Sequence, residues 1–244
     1  MKMPELSDCP EKRTLIITGS YWFLMFFMIP IVLIYCMDGF YNNQKVMATV
    51  DIVYHFINLV CAFLIFREYL IDSWLTVQIQ KKKFIKTVLL GALFCVGFMR
   101  IMRPLAMLLY TEGDTAWQNL PIVEMELFIT TEGIILLHPV LGTLSVVGAS
   151  LSVSCLLYGL GFATPCYRRP WLGYVVMFGV LLLHRSLVDY TVGSVQQAVA
   201  MFLTQLPIHI AACIAYHYAD TIWAPIFIHA ILGLAGSAMA LLGI

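Results

Sequence analysis

The chain has 244 residues, of which 61% are hydrophobic and only 11% charged, and its fourteen basic and fourteen acidic side chains cancel to a net charge of zero. Soluble domains carry about 25% charged residues, so this composition excludes a water-soluble globule, and the lack of short alternating segments excludes a β-barrel. What fits is an all-α, polytopic helical membrane bundle with room for roughly six to eight spans of about 20 residues each.

Seven spans are predicted in chain order. A polar start, Met1–Arg13, precedes span one, Thr14–Cys36, whose Tyr21-Trp22 pair suits a membrane interface. No cleavable leader is evident, so this span reads as a retained anchor. After the turn Met37–Gln44, span two covers Lys45–Phe66 and embeds Asp51, His55 and Asn58. Arg67–Lys86 reads as a basic, partly amphipathic connection with Trp74 and the run Lys81-Lys82-Lys83, a run also suited to anionic lipid head groups. Span three is Thr87–Tyr110, with Arg100 and Arg103 inside it. Thr111–Glu132 is acidic and lacks Lys and Arg. Span four, Gly133–Phe162, is long, and Pro139 is placed to kink it. Ala163–Pro170 is a tight basic turn, span five is Trp171–Val188, and Asp189–Gln197 is polar. Span six, Ala198–Tyr218, holds Pro207 and His209; span seven is Thr221–Ile244.

The N-terminus, Arg67–Lys86 and Arg168-Arg169 hold ten of the fourteen basic residues, and the alternate loops hold only Lys45. By the positive-inside rule this puts the N-terminus in the cytoplasm and the C-terminus outside. The seven cysteines are scattered through the spans without a CxxC pair, which reads as buried thiols rather than a zinc or disulfide framework. No repeat, linker or soluble domain interrupts the chain, so residues 1–244 read as one integral membrane domain. Its expected surroundings are the lipid bilayer and other membrane proteins, with no nucleic acid partner.

Trp223-Ala-Pro-Ile-Phe-Ile-His229-Ala-Ile-Leu-Gly233 places an imidazole in an apolar helix, which is expensive unless partnered. The segment resembles the last motif of the CPBP family (CAAX proteases and bacteriocin-processing enzymes). Tyr167-Arg-Arg-Pro-Trp-Leu-Gly-Tyr-Val-Val-Met-Phe-Gly-Val-Leu-Leu-Leu-His184 resembles that family's second motif. The resemblance covers about residues 134–244. It implies a helical bundle with a metal site inside the bilayer, and a bacterial cytoplasmic membrane.

Helical rise sets His184 roughly 20 Å and His229 roughly 12 Å from the inner ends of their spans, with His209 near the middle of span six. Three imidazoles at one depth suit a zinc site with an open position; the competing reading gives each a packing bond to a neighbouring helix. The family's glutamate pair and arginine fall here on Ser154, Cys155 and Gly159, and its last asparagine on Gly233. Serine cannot replace a carboxylate as general base near neutral pH, although Cys155 as thiolate is a zinc ligand type. Glu126-Leu-Phe-Ile-Thr-Thr-Glu132 resembles the first motif only faintly, at the wrong distance.

Arg100, Arg103, Arg185 and Asp189 read as buried charges, with Arg185 and Asp189 spaced to pair along one helix face. Gly233 and Ser237 form a small-residue ridge suited to close packing or a partner helix. The resulting expectation is a catalytically degenerate protein of the family, a pseudoenzyme without cofactor, that binds another membrane protein or membrane peptide. The alternative is an active zinc intramembrane endopeptidase with an altered ligand set: His184, His229, and His209 or Cys155. A small transporter would need paired repeats as well as broken helices. Pro139 and Pro207 offer breaks, but no repeat is visible.

Overall fold

The computed structural model describes residues 19–21, 23–29, 32, 44–108, 139–154, 158, 175, 178–179 and 195–241. Among these residues all regular structure is helical. A short π-helical segment, Phe23–Met28, is followed by α1 (Gln44–Ile65), α2 (Arg67–Ile79), α3 (Lys81–Met107), α4 (Pro139–Ser154), α5 (Val195–Ala219) and α6 (Trp223–Leu241).

Helices α1, α2 and α3 are separated by single residues, Phe66 and Gln80. The i→i−4 ladder runs through both: Phe66 N donates to Ala62 O (3.0 Å), Leu70 N to Phe66 O (2.9 Å), Gln80 N to Thr76 O (3.0 Å) and Phe84 N to Gln80 O (2.9 Å). The expected connection from Arg67 to Lys86 is therefore helical, and the chain bends at two points without leaving the helix. At 13 residues, α2 is about 20 Å long, too short to cross a bilayer.

Proline positions follow backbone chemistry. Pro139 is the first described residue of α4, and the residues before it, where a kink would show, lie outside those described. Pro225 lies in the first turn of α6, where its missing N–H costs nothing. Pro207 is inside α5, fully buried, and removes one rung of that helix's ladder.

Helix α6 packs against α2, α3, α4 and α5, while α3 packs on α5 and α1 on α4. These approaches are close because small residues line them, as expected where helices pack without a strong hydrophobic drive. Ala211, Ala212, Ala215 and Ala219 of α5 and Ala224 of α6 are all buried. A Cβ added at Gly148 of α4 would lie 2.7 Å from both His55 O and Leu59 Cβ of α1. One at Gly91 of α3 would lie 2.5 Å from Ile228 Cδ1, and one at Gly233 of α6 2.7 Å from Val146 Cγ1 of α4.

The outward surface is apolar. Val53, Phe56, Val60 and Leu64 of α1 and Ile85, Leu89, Leu93 and Val96 of α3 are exposed. Among the described residues one helix, Lys81–Ala106, is long and apolar enough to cross a membrane, and only 22% of its apolar window is buried; Val53–Ile65 and Trp223–Ala235 are shorter apolar helices.

Candidate functional site

The α5–α6 hairpin turns through Asp220, Thr221 and Ile222. Asp220 adopts φ 54°, a left-handed conformation that Asp tolerates better than most side chains. Helix α2 fixes this turn. Ile222 N donates to Ser73 Oγ (2.9 Å), the Thr221 hydroxyl donates to Ser73 O (3.0 Å), and Trp223 Nε1 donates to Leu70 O (2.9 Å). Trp74 meets Trp223 edge to face, with centroids 5.0 Å apart. The Tyr69 and Tyr216 hydroxyls share a 2.8 Å hydrogen bond, and Lys83 Nζ pairs with Asp220 Oδ2 at 3.3 Å.

The hairpin brings two imidazoles together. The His209 and His229 ring centroids are 5.5 Å apart, and His209 is only 4% exposed. The third ring is Tyr158, fully buried, with its centroid 6.3 Å from His209 and 6.1 Å from His229. The Tyr158 hydroxyl lies 3.0 Å from His209 Nδ1 and 3.4 Å from His209 O, so phenol and imidazole meet each other's need for a partner in an apolar interior. His229 Nδ1 is 2.9 Å from Pro225 O, one turn back. A carbonyl only accepts, so Nδ1 carries the proton and the basic lone pair of this neutral ring is on Nε2.

Ser154, four residues before Tyr158, is fully buried, and its hydroxyl has no hydrogen-bond partner among the described residues. The expected meeting of histidines thus holds for His209 and His229. His184, Cys155, Gly159, Arg185 and Asp189 lie outside the described residues. Among those described, no group of three His, Cys, Asp or Glu residues is arranged to hold a metal ion. The third ligand of the zinc set that the sequence suggested, His184 or Cys155, lies outside the described residues. The carboxylates whose side chains are described, Glu68, Asp72 and Asp220, are all on α2 or at the hairpin turn. Asp220 is in the turn before α6, and His229 lies six residues into that helix, about 9 Å of rise from its start.

Arg100 is not a buried charge: it is exposed on α3. The buried residues of that helix, Phe84, Thr87, Val88, Cys95 and Ala106, form a stripe along one side. Arg100 lies about 140° around the helix from Cys95. The side chains of Arg103 and Ser237 fall outside the described residues, and Gly233 packs on Val146 of the same chain. Tyr158 is the one site member that the sequence reading passed over. Its signal was position: it follows Ser154 by four and directly precedes Gly159 in the degenerate first motif.

No family model, no curated protein and no solved structure matches the chain.

Proposed function

We propose that the chain is a seven-span membrane protein, N-terminus in the cytoplasm, related to the CPBP proteins but without proteolytic activity. It works by binding another integral membrane protein or a membrane peptide. The observation that carries this reading is the bonding of the histidine pair: His209 to the Tyr158 phenol and His229 to the Pro225 carbonyl. In a hydrolase of this design a carboxylate would share that space and take a proton from the attacking water. Here a serine stands in the glutamate position, the His209 imidazole bonds the Tyr158 phenol, and the His229 imidazole bonds a carbonyl of its own helix.

The test is metal content and cleavage measured together on protein purified in mild detergent, followed by cross-linking in native membranes. Well under one zinc per chain, no cleavage of membrane peptides, and a stoichiometric cross-linked membrane protein are expected. One zinc per chain, with cleavage lost in His229→Ala, overturns the reading.

The convergence of His209 and His229 at 5.5 Å favours one second reading, a zinc endopeptidase completed by His184 or Cys155. It requires both metal and cleavage to depend on His209 as well as His229.

A further inference from the structure

The N-terminal end of α3 is electrostatically unbalanced. It begins Lys81-Lys82-Lys83-Phe-Ile-Lys86, with no acidic residue in its first turn. Four lysines within six residues at the start of an apolar helix make a concentrated positive patch. Lys83 is compensated by Asp220. Lys81, Lys82 and Lys86 are exposed and have no ion-pair partner among the described residues. Three exposed cations at the start of an apolar helix suit an anionic surface.

The adjoining helix indicates what that is. One side of α2 is taken up by the hairpin turn through Leu70, Ser73 and Val77. Its other side exposes Ile71, Trp74, Leu75 and Ile79, the last at 82%. They follow three- and four-residue spacing, interleaved with exposed Arg67, Glu68, Asp72 and Gln78. An exposed tryptophan and aliphatic side chains beside the lysines suit a membrane interface, where aromatic rings sit at head-group level. The lysines follow at the C-terminal end of α2.

We propose that α2 and the start of α3 form a docking surface for anionic phospholipid, with Ile71, Trp74, Leu75 and Ile79 at the acyl boundary and Lys81, Lys82 and Lys86 on the head-group phosphates. This rests on the membrane reading above and adds a lipid class and a place. Plain topology signalling would need the charges but not the exposed Trp74 and aliphatic side chains beside them, and would give no preference among lipids once the chain is inserted.

The test is lipid retention by the full chain in mixed micelles holding equal phosphatidylglycerol and phosphatidylcholine, read by native mass spectrometry. Phosphatidylglycerol is expected to be retained over phosphatidylcholine by at least about tenfold. At about 1 kcal/mol per lysine near an anionic surface, or roughly fivefold each, Lys81→Gln/Lys82→Gln/Lys86→Gln should abolish the preference, and the Lys→Arg triple variant should restore it. Equal retention of the two lipids overturns the proposal. So does an undiminished preference in a glutamine variant whose helicity and elution match the parent, or full competition by millimolar inorganic phosphate, which would mark a site for small anions. Carbonate extraction separates the two levels: a chain released by carbonate refutes multiple spans, while a phosphatidylglycerol preference in that released chain still upholds the surface.

Discussion

The Tyr158 hydroxyl meets His209 Nδ1 at 3.0 Å inside a fully buried cluster. Tyr158→Phe keeps the ring and removes the hydroxyl that bonds the imidazole. A buried polar group left unsatisfied costs about 1–3 kcal/mol, so thermal unfolding in detergent should begin at a lower temperature by that equivalent. Zinc content should not change. Loss of a stoichiometric metal in the variant would mean that the phenol supports a ligand, contrary to the packing role argued here.

The three close glycines should not respond alike to alanine. At Gly148 the new methyl meets a backbone carbonyl and a Cβ of α1, neither of which can step aside, and overpacking of this kind costs about 1–3 kcal/mol. At Gly91 it meets the far end of the flexible Ile228 side chain, and the gain of about 1 kcal/mol in helix propensity offsets the shift. Gly233 faces Val146, whose χ1 is stiff, and should fall between. Melting temperatures of the three variants should rank Gly148→Ala lowest and Gly91→Ala nearest the parent.

Leu93 is 69% exposed at the middle of α3. In water, Leu93→Lys would be a surface change worth less than about 0.5 kcal/mol. In lipid it places a charge at the centre of a span and costs about 2.5–3.5 kcal/mol. Membrane-integrated yield should therefore fall sharply for Leu93→Lys and remain near the parent for Leu93→Ile. Equal yields of the two variants would remove the bilayer from the account.

Ser73→Ala should loosen the hairpin turn. It leaves Ile222 N, a buried donor, without the oxygen it reaches at 2.9 Å, a loss of about 1–3 kcal/mol. Limited proteolysis should then cut near residues 220–222 at protease levels the parent resists. Lys83→Ala, which removes an ion pair at partly exposed groups, should cost under about 1 kcal/mol and leave the cleavage pattern unchanged.

Helices α1, α3, α5 and α6 were legible because continuous apolar runs with polar ends define them: α5 begins three residues before the expected start and α6 two residues after it. Helix α2 was not, because Ile71, Trp74, Leu75 and Ile79 are spaced among Arg67, Glu68, Asp72 and Gln78, so no apolar run marks it. The meeting of His209 and His229 could be read from their depths on consecutive helices. Tyr158 could not, since an aromatic residue in an apolar run carries no sign that its hydroxyl needs a partner. Arg100 was misplaced because span three was expected to begin at Thr87, whereas α3 begins at Lys81. That puts Arg100 about 28 Å along the helix, close to a hydrocarbon thickness of about 30 Å.

Ser73 and the Leu70 carbonyl fasten α2 to the elbow between the two histidine-bearing helices. The helix proposed to rest on the lipid surface is thereby a lever arm on the buried rings. A tilt or lift of α2 has two outcomes only: it breaks these bonds, or it carries the elbow along and changes how the His209 and His229 planes face each other. Bilayer thickness and surface charge would then reach the bundle's interior mechanically.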